Sequence, residues 1–238
     1  MKRSSGLRPL VFLGASTAFD EIIEVVRDMN AQTPRWEVVA ALDDADQAQG
    51  TSMQGVPVLG RLDEWTHFPD ADFIFAIGSH RTRMLRLSIL DRLRIPESRF
   101  PALIHPRAKV YPTATVGAGS IVHMNVAVLG GAVLEPFAIV AFNAIVGPKA
   151  ALRRGAMLAS AAIALTGVEI GACAFVGAAS CIAEGVRIGP GAMIGMGTHV
   201  YRDVHPGAFV LGQPPRVLRR DEVPPALLSG WVERTPST

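Results

Sequence analysis

The sequence has few cysteines, few aromatic residues and few charges, and these shortages exclude several classes of protein. Two cysteines among 238 residues exclude a disulfide-stabilised scaffold. Cys173 and Cys181 do not have a metal-ligand spacing, so we expect two buried thiols and no metal site. Aromatic residues make up only 6% of the chain, so a core must be built from Ala, Val, Ile and Leu.

The charge pattern and the apolar runs exclude two further classes of partner. A net charge of +2 without a large basic block argues against nucleic acid as the partner. No apolar run approaches the roughly 18 residues of a transmembrane helix. The apolar run Leu10–Leu13 is also too short for a signal peptide. We therefore predict a soluble, cytoplasmic protein that does not bind a membrane.

The first 104 residues alternate between strand and helix patterns. The predicted elements are a strand at Leu10–Gly14, a helix at Ser16–Asn30, strands at Trp36–Asp43 and Asp72–Gly78, and a helix at Ser79–Leu93. This alternation is typical of a parallel sheet covered by helices. It predicts a small Rossmann-like α/β domain over residues 1–104.

After residue 104 an aliphatic residue recurs at every sixth position, and fifteen of sixteen such positions hold Val, Leu or Ile. The positions are Val110, Val116, Val122, Val128, Leu134, Val140, Val146, Leu152, Leu158, Ala164, Ile170, Val176, Ile182, Ile188, Ile194 and Val200. A small residue stands two positions before most of them. Glycine often follows them, as at Gly117, Gly147, Gly171 and Gly189.

A period of six fits neither an α-helix nor an extended strand. It is typical of a three-sided coil in which each short strand contributes one inward aliphatic side chain. We predict such a coil over residues 105–217, followed by a C-terminal tail over residues 218–238. We expect glycine to supply unusual backbone angles at the corners. A β-sandwich would not keep this register without an insertion, and the flat faces of a coil favour an oligomer.

Four further segments accompany the repeat. They are the sequences GVPVLG at 55–60, LIHP at 103–106, RDV at 202–204 and GQPPR at 212–216. With the repeat they resemble the sugar O-acyltransferase family, which includes sialic acid O-acetyltransferases and the bacillosamine and perosamine N-acetyltransferases. The resemblance covers about residues 9–220.

This resemblance implies a left-handed parallel β-helix, a homotrimer, and acetyl-CoA bound as co-substrate in the groove between subunits. It also implies that the N-terminal domain binds a nucleotide-linked sugar. The candidate sugar contacts are Gly14, Ser16, Thr17, Asp43, Asp44 and Gly78. Helix capping would explain Ser16 and Thr17 equally well, and solvated turn positions would explain the two aspartates.

The candidate acetyl-CoA contacts lie on the repeat. They are Met157, Thr166, Gly167, Glu184, Gly185 and Arg216. Thr166 and Glu184 are 18 residues apart, which is one turn of the coil, so we expect them to stack. Turn geometry is the alternative explanation for the glycines, and a solvated tail is the alternative for Arg216.

The sequence departs from the family at the catalytic base. By register, the family's Glu-His-Asp motif falls on Gly147-Pro148-Lys149, and a further family histidine falls on Met157. Proline cannot accept a proton, and His123 is the weak remaining candidate for a base.

The absence of that base favours an amine as the acyl acceptor. An aligned amine attacks a thioester unaided, whereas a hydroxyl needs a base. We therefore predict an acetyl-CoA-dependent N-acyltransferase that acts on an amino sugar. Two alternatives stay open: a catalytically degenerate homologue that acts as a binding or scaffold trimer, and an acyltransferase with a different base and a hydroxyl acceptor.

Overall fold

A computed structural model of the chain describes residues 6–77, 83–212, 216–223 and 225. Its N-terminal part is an α/β domain with the elements β1 (Arg8–Leu13), α1 (Thr17–Gln32), β2 (Trp36–Leu42), β3 (Ser52–Met53), β4 (Val56–Gly60), β5 (Asp72–Phe75) and α2 (Arg83–Leu93). Gly78 and Ser79, the predicted third strand end and second helix start, lie outside the described residues. Neither α1 nor α2 has the length and apolarity that a membrane span requires.

The sheet of this domain has the strand order β3-β4-β2-β1-β5. Only the hairpin of β3 and β4 is antiparallel among these pairs of described strands. The apolar face of α1 (Phe19, Ile22, Ile23 and Val26) is buried against the sheet, as its helical spacing predicts. The carboxyl ends of β1, β2 and β5 therefore lie at one edge, where ligands of open α/β sheets bind.

The second domain is a coil of two-residue strands closed by a short hairpin. Its strands are β6 (Leu103–Ile104), β7 (Lys109–Val110), β8 (Thr115–Val116), β9 (Ile121–Val122), β10 (Ala127–Val128), β11 (Val133–Leu134), β12 (Ile139–Val140), β13 (Ile145–Val146), β14 (Ala151–Leu152), β15 (Met157–Leu158), β16 (Ile163–Ala164), β17 (Glu169–Ile170), β18 (Phe175–Val176), β19 (Cys181–Ile182), β20 (Arg187–Ile188), β21 (Met193–Ile194), β22 (His199–Val200), β23 (Phe209–Leu211) and β24 (Arg216–Leu218).

These strands form three sheets that wind into a prism. We name them by their first strands: the β6 sheet runs through β9, β12, β15, β18, β21, β23 and β24, the β7 sheet from β7 to β22, and the β8 sheet from β8 to β20. β6 lies at the end of the predicted first domain and pairs with β9 of the coil. The predicted fold class, a small α/β domain followed by a left-handed parallel β-helix, is confirmed.

The aliphatic ladder forms the core of the prism. The repeated position is the second residue of each two-residue strand, and from Val122 to Val200 every such side chain belongs to one buried cluster. The small residues two positions earlier, such as Ala132 and Ala150, are also fully buried there. Each buried Val, Leu or Ile contributes about 1.5–3 kcal/mol relative to an exposed one.

The glycines that follow the ladder have a different role from the predicted one. A Cβ atom on Gly147 would lie 2.7 Å from the carbonyl oxygen of Ala164, and one on Gly189 would lie 2.3 Å from the nitrogen of Pro206. Positive φ angles occur two residues later in the turn, as at Gly185. The expectation of unusual angles at these glycines is therefore wrong. They are required because adjacent coils approach too closely for a side chain.

The α/β domain packs on the β6 sheet of the prism. Ile121 of this sheet belongs to the same buried cluster as Ile22 of α1, and the half-buried Ile139 packs against that cluster. His105 accepts a hydrogen bond at Nδ1 from the Arg107 amide, so its Nε2–H donates to Asp28 of α1 at 2.7 Å. The two domains therefore share one apolar interface with a polar contact at its end.

Arg83 and Arg86 of α2 are both buried near this interface. Arg86 is 0% exposed, and none of its guanidinium nitrogens has a hydrogen-bond partner among the described residues. Its carbon Cζ lies 5.6 Å from the centre of the Phe75 ring. Burial lowers the pKa of Arg86 to about 10, so it stays charged at neutral pH. Cys173 is buried, Cys181 is half-buried, and neither forms a disulfide within the described chain.

We expect Leu152→Ala to lower the free energy of unfolding by roughly 2–5 kcal/mol, because Leu152 is 0% exposed in the ladder. Leu59→Ala is the matched control, since Leu59 is 57% exposed on β4, and we expect a change within about 0.5 kcal/mol. Chemical denaturation of both variants measures the difference. Equal losses would contradict the assignment of the ladder as the core.

Candidate active site

Three of the predicted sugar contacts meet at the edge of the α/β sheet. Gly14 has a φ of 110°, and a Cβ there would lie 2.6 Å from Cγ1 of Ile77. Ser16 and Thr17 are exposed at the start of α1. Ser16 is the N-cap residue, but its hydroxyl makes no capping bond and donates to the Ala76 carbonyl at 3.4 Å. The capping interpretation is therefore wrong for the Ser16 side chain.

Asp43 and Asp44 hold the same edge together. Asp43 Oδ2 accepts a hydrogen bond from the Ala15 amide at 2.6 Å, and Oδ1 accepts one from the Ala45 amide at 2.8 Å. Asp44 accepts from the Leu62 amide and from Arg92. Burial alone would raise the pKa of Asp44, but the hydrogen bond and charge of Arg92 hold it below its ordinary value. Both carboxylates accept hydrogen bonds, and the Asp44 side chain is also 41% exposed, so solvation alone does not account for the two residues.

A second group of predicted residues lies on the corner of the prism between the β7 and β8 sheets. The Gly167 amide donates to the Pro148 carbonyl at 2.9 Å, and the Gly185 amide donates to the Thr166 carbonyl at 2.9 Å. Pro148, Thr166 and Glu184 therefore stack on successive coils, and all three are exposed. We call these five residues the Pro148 column. The column joins the predicted base position to four of the predicted acetyl-CoA contacts.

Met157 and Arg216 lie away from this column. Both belong to the β6 sheet, Met157 on β15 and Arg216 on the terminal hairpin strand β24. Arg216 is exposed, whereas Met157 is 8% exposed. The structure thus separates the predicted acetyl-CoA contacts into a corner group and two positions on another face.

Met157 lines a pocket of about 130 Å³ between α1 and the β6 sheet. Its walls are formed by Ala18, Glu21, Ile22, Ile121, His123, Ile139, Ala141, Met157, Leu158, Ala159, Ser160 and Phe175. Most of the wall is apolar, and the polar groups are one carboxylate, one imidazole and one hydroxyl. We call this the α1 pocket. Elsewhere among the described residues, no His, Cys, Asp and Glu side chains form a group of three or more that would hold a metal ion.

His123 is the one imidazole in the lining of the α1 pocket. It is 3% exposed, its ring centre lies 4.5 Å from that of Phe142, and its Nδ1 has no hydrogen-bond partner in the described part of the chain. Burial, with a smaller contribution from nearby His105, lowers the pKa of His123 to about 4. At neutral pH the ring is therefore uncharged and able to accept a proton.

The sequence analysis related His123 only to Pro148 and did not predict that His123 and Met157 line the same pocket. The register of the repeat contains this information, because Ala159 lies two residues after Met157 and 36 residues, or two coils, after His123. The two side chains therefore share one edge of the β6 sheet. The α1 helix that covers them comes from the other domain, and no spacing within the repeat reveals it.

We expect the stability of the protein to fall more steeply in acid because of His123. An unfolded histidine titrates near 6.5 and His123 near 4, so the unfolded chain binds more protons between these values. The free energy of unfolding should fall by about 3 kcal/mol from this group as the pH drops from about 6.5 to about 4.

Chemical denaturation from pH 7 to 4.5 tests this expectation. His123→Gln should lose this part of the pH dependence, and His67→Gln should keep it because the His67 side chain is 70% exposed. Identical pH dependence in the wild type and His123→Gln would contradict the assignment.

The chain is similar to solved sugar acetyltransferases over both domains. A family model described as the PglD N-terminal domain matches residues 14–90, and no curated protein matches the chain. The acetyltransferase domain of PglB from Neisseria gonorrhoeae in complex with acetyl-CoA is 26% identical, with a TM-score of 0.79, over 90% of this chain and 100% of that one. PerB from Caulobacter crescentus, in complex with CoA and GDP-perosamine, is 25% identical, with a TM-score of 0.77, over 89% and 97%. These comparisons confirm the predicted resemblance of the chain to the sugar acetyltransferase family.

Proposed function

We propose that the protein transfers an acetyl group from acetyl-CoA to the amine of a nucleotide-linked amino sugar. The observation that carries the proposal is the similarity over both domains to an acetyltransferase domain that holds acetyl-CoA. A second relative of equal coverage holds CoA together with GDP-perosamine. The similarity to these two ligand-bound relatives therefore extends over the α/β domain as well as the coil.

The edge of the α/β sheet at the carboxyl ends of β1 and β2 would bind the nucleotide sugar. The amides and hydroxyls at the start of α1 face the edge, and the positive end of the helix dipole favours a phosphate there. Asp43 supports this site by holding Ala15 in place. Gly14 keeps the backbone turn free of a side chain.

The Pro148 column would bind acetyl-CoA. Its turns expose backbone groups and the side chains of Thr166 and Glu184 along one corner of the prism. Exposed apolar residues such as Leu165, Val133 and Tyr111 lie on the prism surface, which favours packing against further copies. A homotrimer that encloses this corner remains a prediction, as does a location in the cytoplasm.

The reaction needs no strong base if the acceptor is an amine. The nitrogen lone pair attacks the thioester carbonyl carbon, the C–N bond forms, and the C–S bond breaks with its electron pair on sulfur. The proton lost by nitrogen ends on the CoA thiolate, so amide and free CoA are the products. Alignment of the two reactants alone supplies up to about 7–11 kcal/mol of the barrier.

The degenerate homologue stays as the second candidate because the repeat register predicts Pro148 and Met157 at the positions of the two family histidines. Variants of perosamine N-acetyltransferase in which a histidine is substituted are also found with CoA and GDP-perosamine bound. In that relative, the loss of a histidine is compatible with ligand binding. Ligand binding and turnover must therefore be measured separately.

We expect acetyl-CoA to bind and to stabilise the protein by about 2.7 kcal/mol at 100 times its Kd. CoA release should follow when nucleotide-linked amino sugars are added, and the corresponding hydroxyl sugars should give none. Calorimetry and a thiol-release assay measure the two steps. Binding without release over the whole panel, or absence of acetyl-CoA binding, would contradict the transferase and favour the binding or scaffold trimer.

We expect Pro148→His to increase the rate of transfer by about tenfold or more, because a general base contributes roughly 10²–10⁴-fold when well placed. Pro112→His is the matched control: Pro112 is an exposed proline of the same corner, 36 residues or two coils earlier. It should leave the rate unchanged. Equal rates for both variants would contradict the placement of the reaction beside Pro148.

A further inference from the structure

The α1 pocket has a chemistry that the proposed function does not yet use. It combines the Glu21 carboxylate of α1 with the Ser160 hydroxyl and the buried His123 ring. The remaining walls are apolar. A buried imidazole nitrogen without a protein partner costs free energy, and a ligand that pairs with this ring recovers it.

The polar groups of the pocket favour a ligand with a cationic or neutral amine. A carboxylate attracts an ammonium group and accepts hydrogen bonds from it or from a neutral amine, and an uncharged imidazole accepts a hydrogen bond from either. A carboxylate at the same place would repel an anionic group such as a phosphate or the pantetheine phosphates of CoA. The amine end of an amino sugar therefore fits the pocket better than its nucleotide or the acyl donor.

The location of the pocket fits the same ligand. Ala18, Glu21 and Ile22 follow directly on Ser16 and Thr17, the residues that would bind the nucleotide part of the sugar. A sugar held at the start of α1 would thus extend along the helix into the pocket. His123 and Pro148 lie on different corners of one chain, so the donor on the Pro148 column would reach the pocket from a neighbouring copy in the predicted trimer.

We infer that the α1 pocket receives the acceptor amine of the sugar, and that His123 accepts the proton that this amine loses during acyl transfer. This inference rests on the proposed function. As the C–N bond forms, the nitrogen becomes positively charged and far more acidic than the free ammonium. His123 takes this proton, and the proton then passes to the CoA thiolate that leaves. Before the reaction, Glu21 accepts a hydrogen bond from the amine, which attacks in its neutral form.

The protonation of His123 is set by a small number of neighbours. Glu21 faces the pocket from α1, and His105 lies one coil away and is held by Asp28. His105 disfavours the protonated ring. A base of low pKa suits the acidic nitrogen of the intermediate, whereas it is too weak to remove a proton from a sugar hydroxyl.

Chemical rescue separates this role from a structural one. We expect His123→Ala to lower kcat by roughly 10²-fold or more with little change in the KM for acetyl-CoA. Added imidazole should restore activity in proportion to its concentration and its neutral fraction. If His123→Ala does not fold, His123→Gln replaces it, and there kcat should fall while the circular-dichroism spectrum and acetyl-CoA affinity stay unchanged. Wild-type kcat in the folded variant, or a lowered kcat that imidazole does not restore in His123→Ala, would overturn the inference.

A second pair of variants tests the amine site. Glu21→Gln should raise the KM for the amino sugar about tenfold and leave the KM for acetyl-CoA unchanged. Glu24→Gln is the matched control, since Glu24 lies one turn further along α1, pairs with Arg27 and does not line the pocket. A raised KM for acetyl-CoA instead would assign the pocket to the donor and overturn the inference.

Binding without turnover distinguishes failure of the inference from failure of the proposed function. The amino sugar alone should bind the wild type and shift the NMR signals of the His123 ring, and its N-acetylated form should shift them less. If the wild type releases no CoA with any amino sugar, the proposed function fails and so does the proton transfer to His123. If CoA is released but the His123 signals do not respond to the amine, only the inference fails.

Discussion

The spacing between successive coils of the prism is the constraint on which the rest of the structure depends. Each strand has two residues, and its backbone bonds reach the strand 18 residues further on, as between Met157 and Phe175. Coils at this distance leave no space for a side chain where Gly147 and Gly189 stand. The inward ladder fills the axis, and the coil keeps one 18-residue register from β6 to β22. Within these coils every corner residue is stacked on its counterpart one turn away.

This stacking decides which chemical groups meet. It brings Pro148, Thr166 and Glu184 into one exposed column although 36 residues separate the first from the last. It also aligns His105 with His123 on another corner, and there the α/β domain covers the prism. His105 lies next to the domain boundary and is fixed by Asp28, whereas His123 is enclosed without a partner for Nδ1. The same repeat thus gives two histidines of equal register different environments.

The fold could be predicted from the sequence because its main signal is periodic. A six-residue period specifies which side chains face inward, and the strand-helix alternation specifies the α/β domain. The role of the glycines could not be predicted, since a close backbone approach and a positive φ both select glycine. The sequence likewise did not indicate that the backbone amides of Ala15 and Ala45 would donate hydrogen bonds to the Asp43 carboxylate. The α1 pocket depends on contacts between two domains, and local patterns carry no information about such contacts.

Burial of His123 connects the electrostatics of the fold to the choice of acceptor. The apolar walls that enclose the ring lower its pKa, which keeps it neutral at physiological pH but makes it a weak base. A weak base assists only when the proton to be removed is already acidic. The nitrogen of a tetrahedral intermediate meets this condition and a sugar hydroxyl does not. The register predicts Pro148 at the family's base position, and the proposed N-acylation would instead use an imidazole that the packing between the two domains encloses.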